Sequence, residues 1–144
     1  MLIGGLQKES DYPYVSGSAG VVPTCAVDPS NFFITTAANG KNYMPQIYQG
    51  SESTLASHVS TVGPLAGAVD ATNWQYYSSG VLTSCGTSLN HAIQLVGVDT
   101  LASTPFWKIR NSWGTSWGES GFIRIKYGVN LCHVGDWAVY VSTL

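Results

Sequence analysis

An α+β fold, built mostly from an antiparallel, barrel-like sheet with one or two short helices, is predicted by three features of the chain. Short β-branched and aromatic runs at Val81–Leu82, 93–98, Phe106–Arg110, Phe122–Lys126 and 138–141 are separated by clusters of Gly, Ser and Asn. Helical spacing is confined to a window over 51–61, where Leu55 and Val59 fall one turn apart. At 144 residues, with 44% apolar and 12% aromatic composition, the chain can bury one core of its own and is not of disordered type.

Taken in order, residues 1–19 are rich in Gly, Ser, Pro and Tyr without periodicity, and predict a loop that hugs a surface through Tyr12, Pro13 and Tyr14. The run Asn31-Phe32-Phe33-Ile34-Thr35-Thr36 predicts a strand. The helix over 51–61 begins behind Ser51 as an N-cap, with His58 exposed on it. Gly63-Pro64 then breaks the chain before Leu65–Val69, a strand of small residues that leaves room for another backbone or a ligand. Asn73-Trp74-Gln75-Tyr76-Tyr77 predicts a turn or helical loop, and the remaining strands follow.

Charged residues make up only 10% of the chain and the net charge is −2, so neither nucleic acid nor an acidic membrane surface is an expected partner. No apolar run reaches the ~20 residues of a bilayer span, and Met1-Leu2-Ile3-Gly4-Gly5 lacks the basic start and apolar stretch of a signal peptide. The three cysteines are an odd number, which leaves one thiol free or paired outside the chain. Cys85, His91, Cys132 and His133 could be assembled into a zinc set, but Cys132 and His133 are adjacent and the spacing fits no familiar finger; no metal or cofactor is expected.

The chemistry is concentrated in two segments, Leu89-Asn90-His91-Ala92-Ile93-Gln94-Leu95-Val96-Gly97-Val98 and Phe106-Trp107-Lys108-Ile109-Arg110-Asn111-Ser112-Trp113-Gly114. In each, a polar residue sits at the edge of an apolar run, the pattern of a buried strand delivering a functional group to a cleft. A histidine can take and return a proton if a second group holds its ring, and an asparagine oxygen can accept the other ring N–H. His91 could equally be a satisfied strand histidine, and Asn111 an ordinary turn asparagine. What the pair lacks is a nucleophile. Cys25, in Pro23-Thr24-Cys25-Ala26, has no helix-start glycines around it to lower a thiol pKa, and reads as a disulfide cysteine rather than a reactive one.

Leu-Asn-His-Ala (89–92), followed by Asn-Ser-Trp-Gly-x-x-Trp-Gly-x-x-Gly-Phe-Ile-Arg-Ile (111–125), resembles the C-terminal half of papain-family cysteine proteases. The likeness runs from Gly4-Gly5-Leu6-x-x-Glu9-x-x-Tyr12-Pro13-Tyr14 nearly to the C-terminus, and the wording of Val69-Asp70-Ala71, Gly80-Val81-Leu82-Thr83-Ser84-Cys85 and Thr104-Pro105-Phe106-Trp107 is most similar to cathepsin L-like enzymes of kinetoplastid protozoa. The resemblance implies residues 1–20 as a segment leaving a helical domain that the chain does not contain, and 21–144 as the β-barrel domain.

It further implies His91 as general base and acid, Asn111 as its orienter, Trp113 as a cover over their contact and Trp117 as an aromatic wall on the leaving-group side. Ala68, Leu89, Asn90, Ala92 and Trp137 match the substrate pocket for the side chain two before the scissile bond, where Trp137 would favour leucine-like residues over arginine. Cys85 pairs with Cys132 in the family pattern, and Cys25 with a cysteine of the N-terminal half. The nucleophilic thiol and the oxyanion-hole glutamine also belong to that half, so this chain is expected to be inert alone. Implied partners are that Cys-bearing half, peptide substrates and cystatin-like inhibitors; the implied setting is lysosomal, endosomal or secreted. A different reading keeps the fold but makes the chain an inert binding or structural subunit.

Overall fold

The computed structural model describes residues 5–32, 34–35, 43–48 and 51–143. The chain divides into two compact units, 45–141 and a second made of 1–44 with 142–144. In the second unit, strands β1 (Gly5–Leu6) and β2 (Ile34–Thr35) pair antiparallel, and α1 (Ser16–Ala19) ends at Gly20, whose φ of 67° is left-handed. The expected loop over 1–19 therefore contains a strand and a helical turn. Tyr12 and Tyr14 are exposed, although the Tyr12 hydroxyl accepts a hydrogen bond from the Ala26 amide at 3.2 Å. Among the described residues, the strand expected over 31–36 is present as β2. A 3-10 turn at Pro29–Asn31, capped by the Asp28 carboxylate on the Ser30 amide, replaces its start, and Phe33 and Thr36 lie outside the described residues.

The larger unit carries β3 (Tyr43–Tyr48), α2 (Glu52–Thr61), β4 (Leu65–Val69), β5 (Val81–Leu82), β6 (His91–Asp99), β7 (Phe106–Arg110), β8 (Phe122–Lys126) and β9 (Ala138–Thr143). These strands form one sheet in the order β3-β9-β4-β6-β7-β8-β5. The α+β class stands, but the barrel does not. β3 and β5 end the sheet without pairing to each other, and β5, only two residues long, runs parallel to β8. Closure requires the two edges to share hydrogen bonds, and among the described residues they share none.

Alternation sets the core. Ile93 and Leu95 of β6, Trp107 and Ile109 of β7, and Ile123 and Ile125 of β8 all point inward and are buried. A bulge between Leu95 and Gly97 adds one residue to β6 and realigns it with β7, so that Val98 faces Trp107. Gly67 of β4 has space for no side chain: a Cβ there would lie 2.9 Å from Leu95 Cδ1 and 3.2 Å from the Trp137 carbonyl, the close backbone approach its small neighbours suggested.

Two details of α2 differ from expectation. Ser51 stands at the N-cap, yet its hydroxyl meets those of Ser53 and Thr54 instead of a backbone amide. His58 is buried, at 6% exposure, because its face of α2 turns to the sheet: Nδ1 lies 3.1 Å from the Tyr48 hydroxyl and the ring 4.4 Å from that of Tyr140. Its position three residues after Leu55 puts it on the same buried face of α2.

Candidate active site

β6 begins and β7 ends at the same end of the sheet, since the two strands are antiparallel with Gln94 opposite Arg110. His91 is the first residue of β6 and Asn111 directly follows β7, so twenty residues of chain return the two side chains to one place. His91 Nε2 lies 2.7 Å from Asn111 Oδ1. The same oxygen accepts the Ser112 amide at 2.8 Å, which fixes the amide's orientation: a flipped Asn111 would set its NH2 against the Ser112 N–H donor. Oδ1 therefore acts as acceptor, Nε2 carries the proton, and Nδ1 is left as the free basic nitrogen. Asn111 is 8% exposed, and its backbone N–H donates to the Gly121 carbonyl at 2.9 Å.

Rings surround this contact. Trp113 lies against the imidazole with centroids 5.0 Å apart, and Trp74 meets it edge-on at 6.2 Å from the core side. Trp117 stands 6.3 Å from Trp74 and 5.2 Å from Trp113, and its indole N–H donates to the Trp74 carbonyl at 3.1 Å. Packed rings lower the local dielectric and strengthen the His91–Asn111 bond. Trp113 is itself 40% exposed, so the contact is covered but remains next to solvent.

A family model described as papain family cysteine protease matches residues 1–142. The chain belongs to the papain family of cysteine proteases. It is 40% identical over 137 residues to "Cysteine proteinase 2" of Leishmania pifanoi, a match covering 94% of this chain and 30% of that protein. It is 37% identical to "Viral cathepsin" of Adoxophyes honmai nucleopolyhedrovirus, across 100% of this chain and 40% of the relative. Among solved structures, digestive procathepsin L2 proteinase from the larval midgut of Tenebrio molitor superposes with a TM-score of 0.79 at 30% identity, covering 96% of this chain and 43% of the other. The bromelain protease from Ananas comosus in complex with the E64 inhibitor gives 0.72 at 33%, covering 96% and 63%. The chain thus spans less than half the length of the curated relatives it matches.

In this papain-family chain the pocket residues expected from sequence fall in a narrow zone. Ala68 and Ala92 are cross-strand partners with side chains on one face. The Trp137 carbonyl accepts the Ala68 amide at 3.1 Å, while its ring and Leu89 are exposed. Asn90 is occupied otherwise: its Oδ1 accepts the Ala71 amide at 2.9 Å and its Nδ2 donates to the Thr72 hydroxyl at 3.0 Å. Cys85 and Cys132 are joined in a disulfide across 47 residues, so neither thiolate is free for zinc. Cys25 is an exposed free thiol.

Sequence reasoning missed two supporting residues. Trp74, fully buried beneath the imidazole, reads in sequence only as part of a turn or helical loop, which forms the 3-10 helix Trp74–Tyr76. Glu119 follows the glycine turn that carries Trp117. Its carboxylate takes Arg124 Nε at 2.9 Å and Nη2 at 2.6 Å, and the Gly80 amide at 2.9 Å, tying the tryptophan loop to β8 and to the chain before β5. The turn needs glycine at 118, where φ is 54° and a Cβ would meet the Phe122 carbonyl at 2.7 Å.

The Arg124 guanidinium, with smaller help from the Gly80 amide, holds the Glu119 carboxyl down to about 2. A depressed carboxylate adds stability that is complete above its ordinary value of 4.5 and disappears as pH falls through about 2. Glu119→Gln should therefore lower stability at pH 7 by ~1 to 2 kcal/mol, the full shift being discounted because the two side chains are 24% and 34% exposed. Thermal melts from pH 7 to pH 2 should converge for the two proteins; a constant gap across that range would mean the ion pair contributes nothing.

Proposed function

We propose that this chain supplies the acid–base half of a papain-type cysteine endopeptidase, with His91 as general base and acid, Asn111 as its orienter, and the thiol contributed from outside the chain. The observation that carries the reading is the bond from His91 Nε2 to an Asn111 oxygen whose orientation is fixed by Ser112, beneath Trp113. It leaves Nδ1 as the nitrogen to accept a thiol proton, giving a thiolate–imidazolium pair.

In that chemistry the thiolate sulfur attacks the scissile carbonyl carbon, and the carbonyl π electrons move to oxygen. As they return, the C–N bond breaks and the amine takes the proton held on Nδ1. A water molecule, deprotonated by the same nitrogen, then adds to the thioester; the thiolate leaves and the acid product forms. None of the three cysteines suits the nucleophile's part: Cys85 and Cys132 are bonded to each other, and Cys25, in Pro23-Thr24-Cys25-Ala26, has no helix-start glycines to lower its thiol pKa. A chain inert by itself follows. The disulfide also supports an oxidising compartment, as in secretory or endosomal proteins. Trp137, near Ala68 and Ala92, supports a preference for leucine-like side chains two before the scissile bond.

The test joins this chain with a Cys-bearing papain-family half and follows hydrolysis of a leucine-containing fluorogenic peptide. Activity should appear only in the joined protein, disappear with a thiol alkylator, and fall by ~10³-fold or more in His91→Ala. Hydrolysis by the 144-residue chain alone, blocked by alkylation of Cys25, would defeat the reading; a joined protein that binds peptide without cleaving it would favour the inert-subunit alternative.

A further inference from the structure

Asp70 lies just beyond β4, is 2% exposed, and takes part in neither ion pair of the described residues. A carboxylate so buried is costly unless its oxygens are hydrogen-bonded. Its Oδ1 accepts the Thr72 amide at 2.9 Å, and its Oδ2 accepts the Ser88 amide at 2.7 Å, eighteen residues along the chain. Thr72, and then Ser88, hold the carboxyl below its ordinary range, so it stays ionised into acid.

Everything around this carboxylate leads to His91. Gly86 leaves it space: a Cβ there would sit 2.3 Å from Asp70 Oδ2. That is a requirement of volume, because Gly86 is not among the residues of positive φ. Beyond Ser88, the Asn90 amide donates to the Val69 carbonyl at 3.0 Å, and the Asn90 side chain holds Ala71 and Thr72. His91 is next, opposite Val69. On the other side, the Asp70 amide donates to the Cys132 carbonyl at 2.9 Å, and Cys132 is disulfide-bonded to Cys85, where this segment begins.

We propose that Asp70 is a positioning residue: its buried carboxylate clamps the 86–90 segment to the end of β4 and so sets where the His91 imidazole stands relative to Asn111. The catalytic consequence rests on the protease reading above, whereas the placement of the ring does not.

Three substitutions separate positioning from general stability. Asp70→Asn keeps the shape but must turn an NH2 toward one of two N–H donors, so one bond becomes a repulsion. Gly86→Ala displaces the same carboxylate without altering its charge. Ile125→Val, at the far end of the sheet, removes a buried methylene and lowers stability without touching the segment. Ser88→Ala is a silent control, because only the Ser88 backbone is used.

The readout on the 144-residue chain is the tautomer of His91, from imidazole 15N shifts at a pH where the ring is neutral. Wild type, Ser88→Ala and Ile125→Val should hold the Nε2–H form; Asp70→Asn and Gly86→Ala should shift to a mixture. In the joined enzyme the same two should lose about tenfold in kcat. An unshifted tautomer in Asp70→Asn and Gly86→Ala would overturn the proposal. So would failure of both to fold where Ile125→Val folds, since Asp70 would then be a folding determinant. An inactive joined wild type with an ordered His91 would instead sink the protease reading and leave the ring measurement standing.

Discussion

Replacing His91 with alanine in the joined enzyme is expected to lower kcat by ~10³-fold or more, the largest effect of any single change in this chain. A positioned acid–base group is typically worth ~10² to 10⁴ in rate, and here it would also hold the thiolate. Asn111→Ala should cost less and should act on kcat with KM nearly constant, because a ring that swings freely penalises the transition state more than substrate binding. The double variant carries the information. If Asn111 works through the 2.7 Å bond to Nε2, its loss should have almost no further effect once His91 is gone. Fully additive losses would mean that Asn111 acts on something else, and its assignment as orienter would fall.

Removing the Cys85–Cys132 disulfide should have the largest effect on stability. The bridge closes a loop across 47 residues, and the chain-entropy relation puts the constraint at ~4 kcal/mol. For a chain of this size that corresponds to a fall in Tm on the order of 10 to 15 °C. The bridge also secures a stretch of backbone in a conformation side chains rarely adopt: Cys132 and His133 have φ of 57° and 60°. The Asp136 carboxylate on His133 and the Glu52 carboxylate on the Gly128 and Asn130 amides help hold it. Calorimetry of a Cys85→Ser/Cys132→Ser variant beside oxidised wild type gives the comparison. A shift of only a degree or two would show that these polar contacts hold the loop without the bridge.

The sequence by itself determined the strands that carry the candidate site, their class and the two residues at its centre. β7 and β8 fall where alternation and turn residues place them, because each buries one face and the period of two survives even in five-residue runs, and β4 falls where the small apolar run follows the Gly63-Pro64 break. His91 and Asn111 stood out because each closes or opens such a run with a group able to do proton chemistry. Tertiary structure alone decided whether the sheet closes, since that depends on pairing between strands distant in sequence and not on the pattern within either. It decided the burial of His58, whose environment comes from Tyr48 and Tyr140. It also decided the part played by Asp70, an ordinary turn aspartate in sequence, whose significance arises from an amide eighteen residues away and a glycine that leaves it space. Local pattern reports which face of an element is buried; which distant groups meet there is a property of the fold.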